Sequence, residues 1–93
     1  MLKIKDNVDI TTLTNFGYLK YGGYEKCYSY HYYIKTLNTY FFKAYKELFI
    51  DADSRIIDVF EYDCILGRRI IKLKKRWIKD LIQAGLVEKV GDE

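Results

Sequence analysis

The 93-residue sequence predicts an α+β fold: an antiparallel sheet of three to five strands packed against a C-terminal amphipathic helix, with a short N-terminal helix at the sheet edge. Three observations predict it. Aromatic and β-branched residues dominate 28–34 and 55–63, the composition and alternation of strands. Apolar residues recur at three- and four-residue steps from Ile70 to Leu81, the period of a helix. Gly17, Gly22-Gly23, Gly67 and Gly85 punctuate the intervals between these runs. Residues 1–93 read as one compact domain, with no repeat, linker or low-complexity tail.

Taken in order, 2-LKIK-5 alternates and predicts a short strand. Asn7 or Asp9 can then cap a short helix near 9–16 by accepting from its first free N–H groups. Ile10, Leu13 and Phe16 share one face of that helix, and Gly17 stands where a left-handed terminating residue is needed. Beyond Gly22-Gly23, alternation sends Tyr28, Tyr30, Tyr32 and Ile34 to one side and Cys27, Ser29, His31 and Tyr33 to the other. The first row suits packing beneath a helix; the second is mixed and suits water. The segment 40-YFFKAYKELFID-51 satisfies helical and strand spacing alike. The turn chemistry of 51-DADS-54 and the β-branched run after it favour a strand–turn–strand hairpin. From Arg69, the residues Ile70, Leu73, Trp77 and Leu81 predict the C-terminal helix, closed by Gly85, with a last short strand in 86–90.

Composition limits the chemistry. The chain is 49% hydrophobic and 17% aromatic, which argues against disorder. It holds no apolar run of the roughly twenty residues a membrane helix needs, and the charges in MLKIKDNVDI are too early for a secretory signal. Cys27 and Cys64 are far apart in sequence and read as reduced thiols of a cytoplasmic protein. His31 is the only histidine, four residues after Cys27. In an extended strand those side chains stand about 13 Å apart, too far for a nucleophile and its base. One histidine and two scattered cysteines do not supply a zinc site. The acidic turn at 51–54 has Tyr62 where a calcium loop needs its final bidentate acid. The expectation is therefore a protein without catalytic residues, cofactor or metal.

Two surfaces stand out instead. Ten tyrosines against five phenylalanines is too many hydroxyls to bury, so some rings must reach the surface, where tyrosine supplies contact area at low entropy cost. Tyr21, Tyr24, Tyr33 and Tyr45 are the candidates for a partner-binding aromatic surface, whether the partner is another protein or a second copy of the chain. On the predicted C-terminal helix, Lys72, Lys75, Arg76 and Lys79 fall at i, i+3, i+4 and i+7 and form a positive stripe. That stripe is the alternative, a phosphate-binding surface for nucleic acid.

The phrases 3-KIKDNVDI-10, 15-NFGY-18 and 80-DLIQAGLVEKV-90 resemble the ends of a loose family of small phage and prophage proteins from low-GC Gram-positive bacteria. The likeness covers about a third of the residues and carries no catalytic position. It implies a phage accessory protein acting in the cytoplasm of an infected bacterium by stoichiometric binding to a host protein. A defence nuclease or complex is the implied target, which would make the chain an anti-defence inhibitor of the anti-CRISPR kind.

Overall fold

In the computed structural model of the chain, the structure describes residues 1–25, 28–37, 44–63, 65 and 67–91, with side chains described for all of these except 23–25, 28–30 and 44. Two antiparallel sheets form among them. The larger has the order β2 (Leu19–Glu25), β3 (Tyr28–Thr36), β4 (Ala44–Asp51), β5 (Ile57–Asp63) and β6 (Gly67–Ile71), so neighbours in sequence are neighbours in space. The smaller pairs β1 (Leu2–Ile4) with β7 (Val87–Lys89).

The predicted N-terminal helix forms as a 3-10 helix over Ile10–Phe16. Asp9 caps it, its Oδ1 accepting from the Thr11 amide at 3.0 Å. Gly17 closes it at φ 87°, donating its N–H to Thr14. The hairpin between β4 and β5 also forms. Asp51 Oδ1 accepts from the amides of Asp53 and Ser54 at 2.7 and 3.1 Å, which folds the turn upon itself. Arg55 leaves that turn at φ 64°, an uncommon conformation for a side-chain-bearing residue. Its guanidinium donates to the carbonyls of Lys5 and Val8 at 2.7 and 2.6 Å, so the turn is stapled to the N-terminal segment.

The C-terminal region departs from expectation. Residues 69–71 lie in strand β6, and helical structure starts only at Lys75, as a 3-10 turn over Lys75–Ile78 that continues into α1 (Lys79–Gln83). Ile70 and Ile71 are β-branched and pair with Phe60 and Val59. The cross-strand partner decided their state against the helical spacing.

Burial is one-sided. Tyr33, Leu48, Ile50, Ile57 and Val59 alternate along β3, β4 and β5 and are buried. Ile4 of the small sheet, Leu13 of the N-terminal helix, Tyr18 just after it, and Ile78 and Leu81 of the C-terminal helical segment belong to the same buried cluster. This inverts the expected assignment of β3: Tyr33 belongs to the inner row, and Tyr32 and Ile34 to the outer one. Register explains the inversion. Tyr33 stands opposite Ile50, and Ile50 opposite Ile57, so the tyrosine joins the buried aliphatic row.

Candidate functional site

The outer face of the large sheet is built from the other half of the alternation. Pairing sets Tyr21 beside Tyr32, Ile34 beside Phe49, Phe49 beside Asp58, Tyr45 beside Tyr62, Phe60 beside Ile70, and Tyr62 beside Arg68. Their rings make contact across the strands. Tyr21 stacks on Tyr32 at 5.9 Å between centroids, Tyr32 on Phe49 at 4.7 Å, and Phe49 meets Phe60 edge-on at 5.5 Å. Tyr45 stacks on Tyr62 at 4.7 Å. Arg68 lays its guanidinium over Phe60 at 3.7 Å from the centroid and within 5.8 Å of Tyr62. Aromatic pairs at these separations hold one another in place by about 0.5–1.5 kcal/mol beyond area burial, so the array is ordered before any partner arrives.

None of these outer rings belongs to the buried cluster or to the residues packed against it. Leu19, Tyr21, Tyr45 and Ile70 are exposed, and Tyr32, Ile34, Phe49, Phe60 and Tyr62 are half-buried by one another. Among the described residues, the helical segments and the small sheet all supply side chains to the inner cluster. The face is thus an apolar and aromatic surface that no layer of the described residues covers. Contiguous apolar surface of this kind marks interaction sites.

Its electrostatics are acidic. Among the residues whose side chains are described, the charged ones on this face are by register Glu47, Asp51 and Asp58 against Arg68, three carboxylates to one guanidinium. The Tyr62 hydroxyl points at Glu47 Oε1, 3.4 Å away. Burial first, and then the Glu47 carboxylate, raise the Tyr62 phenol above its usual range and keep it neutral. The inner face beyond the core is different: Glu61 accepts from Arg69 Nε at 3.1 Å and lies 3.5 Å from Lys46. The Arg69 hydrogen bond, followed by the Arg69 and Lys46 charges, holds its carboxyl below the ordinary value.

The predicted site residues are distributed unevenly by this geometry. Tyr21 and Tyr45 lie on the outer face and are exposed. Tyr33 is buried at 1% exposure and is a core residue, which removes it from any contact surface. The side chain of Tyr24 lies outside the described residues, as do Cys27 and Cys64. Lys72, Lys75, Arg76 and Lys79 are all exposed but do not share a helix: Lys72 precedes the helical segment, and the 3-10 turn breaks the spacing that made a stripe. Lys72 and Lys75 border one cleft, Arg76 and Lys79 a separate shallow depression beside Trp77. The sequence reading missed Phe49, Phe60, Tyr62 and Arg68; cross-strand pairing of 45–51 with 57–63 would have found the three rings, and pairing of 59–63 with 67–71 the arginine. Among the described residues no three His, Cys, Asp or Glu side chains group as a metal site, and no helix is long and apolar enough to cross a membrane.

No protein-family model, curated protein or solved structure matches this chain.

Proposed function

We propose that this chain is a non-enzymatic binding protein that docks a partner protein on the outer face of its large sheet, and that the docked surface is basic. One observation carries the reading: the stacked rings of Tyr21, Tyr32, Phe49, Phe60, Tyr45 and Tyr62 remain partly open to solvent in an acidic setting. Carboxylates beside ring faces suit lysine and arginine side chains, which gain both ion pairing and cation–π contact. Arg68 over Phe60 is an internal instance of that contact. The same charges disfavour phosphates, so nucleic acid is a poor occupant of this face. The basic residues Arg76 and Lys79 belong to the helical segment whose Ile78 and Leu81 sit against the inner face, away from the rings. Together with the likeness of the chain ends to phage proteins, this supports a bacterial host protein as target, a defence nuclease or complex, inhibited by occupation of a basic surface.

The test is affinity for a partner captured from host lysate, identified and then purified. Tyr21→Ala and Tyr45→Ala are expected to leave the fold intact, and at least one should weaken binding about thirtyfold, the cost of an interface hot spot. Glu47→Gln should weaken it further at low salt than at high salt. Full affinity and inhibition in both tyrosine variants would sink the proposal. Steeply salt-dependent DNA or RNA binding, abolished by Arg76→Gln with Lys79→Gln and untouched by Tyr45→Ala, would reassign the chain as a nucleic-acid binder.

A further inference from the structure

A second site lies on the inner side of the sheet, beside β5 and the end of β6. There a cleft of about 550 Å³ opens between the β1 end and the segment that follows β6. That volume falls within the range of small-molecule sites, about 300–1,000 Å³. Its wall is apolar: Ile57 and Val59 form the buried floor, and Leu2, Ile71 and Leu73 are half-buried around it. Among the described residues its polar rim is basic. Lys72, Lys75 and Lys89 border it, and none of the three has an ion-pair partner among the described residues, whereas Lys3, Lys35 and Lys46 are each paired. Among the described residues Asp58 is the only acid in the wall. By alternation along β5 its side chain belongs to the outer face, beside Phe49.

We propose that this cleft binds a small amphiphilic anion, an alkyl chain ending in a carboxylate or phosphate. The chain lies over the apolar wall, and the headgroup is held by the three lysines. Lysine suits the rim because its methylene stem extends the apolar wall while its ammonium reaches the headgroup. This site is independent of the aromatic face, and its failure leaves that reading standing.

Calorimetric titration of the full chain with octanoate, decanoate and decanol tests it. Saturable one-to-one binding of decanoate is expected, with affinity rising about fourfold for each added methylene. Decanol should bind at least tenfold more weakly than decanoate. Lys72→Gln with Lys75→Gln should lower decanoate affinity at least tenfold, both side chains being exposed and dispensable to the fold. Leu73→Trp, which fills the cleft, should abolish it, and Tyr45→Ala should leave it unchanged. Vesicles of phosphatidylglycerol separate the sources of such a headgroup. Binding to vesicles without binding to free decanoate means a flat membrane contact and overturns the cleft. Absence of saturable decanoate binding, equal affinity for decanol, or full affinity in both the lysine and Leu73→Trp variants overturns it equally.

Discussion

Replacing Tyr18 with phenylalanine should stabilise the protein. Tyr18 is 2% exposed, and its buried hydroxyl has no hydrogen-bond partner among the described residues. An unpaired buried hydroxyl forgoes its water contacts and gains nothing in return, a penalty of about 1–3 kcal/mol. Phenylalanine keeps the ring, its packing and its contact with the Lys35 ammonium 5.5 Å from the centroid. The expected gain is therefore about 1–3 kcal/mol. In urea, with a slope of about 1–2 kcal/mol per M, the unfolding midpoint should rise by about 1 M at unchanged slope. Alkaline pH supplies a second readout. Burial first, and then the nearby Asp80 carboxylate, push the Tyr18 phenol well above the ordinary 10.0. The folded chain thus keeps a proton that the unfolded chain releases. The associated stability is complete below about pH 10 and falls by about 1.4 kcal/mol per pH unit above it. Tyr18→Phe removes that dependence, so its advantage over the parent should widen by the same slope as pH rises. A variant that is less stable than the parent at pH 7, or whose advantage stays flat to pH 11, would refute the argument and indicate a hydroxyl held by ordered water.

Other expectations follow from the same geometry. Arg55→Gly relieves the left-handed backbone at φ 64° but removes the guanidinium bonds to Lys5 and Val8; the loss outweighs the relief, for a net cost of about 2 kcal/mol in chemical denaturation. Gly17→Ala should cost about 1–2 kcal/mol, because Gly17 holds φ 87° while the space around it, with Lys35 Cε at 3.6 Å, would accept a methyl group. Glu61→Gln should flatten the acid limb of the stability profile. The depressed carboxyl value of Glu61 means that its contribution is present above the ordinary glutamate range and lost as pH falls through the folded-state value. A limb of unchanged shape in denaturation at pH 3–6 would count against that ion-pair ladder.

Local signals in the sequence were legible where one residue decides the outcome. Asp9, Gly17 and the 51–54 turn act through their own backbone neighbours, and each does in the structure what its side chain or lack of one permits. The two faces of β3 were harder because both carry aromatic residues. Nothing within 28–36 says which row is covered; that is settled by β4 and β5, where aliphatic Leu48, Ile50, Ile57 and Val59 stand opposite Tyr45, Phe49, Phe60 and Tyr62 across the sheet. Reading each strand alone assigned Tyr33 to the surface, whereas pairing assigns it to the core. The C-terminal helix was overextended for a related reason. Ile70 matches helical spacing to Leu73, yet it is 66% exposed on an edge strand, so the match was coincidental. The exposed tyrosines Tyr21 and Tyr45 were found from composition, but the array that gives them meaning depends on partners eleven and seventeen residues away.

The small sheet has a practical consequence. Its two strands pair residues 2–4 with 87–89, with the Val90 amide donating to the Met1 carbonyl at 2.9 Å, and both strands give side chains to the inner cluster, on the opposite face from the ring array. A tether or dye placed on this sheet, at the exposed Met1 or Lys89, would therefore emerge at one pole and leave the aromatic pole presented to solution. Immobilised by that pole, the molecules would display their rings in a single orientation.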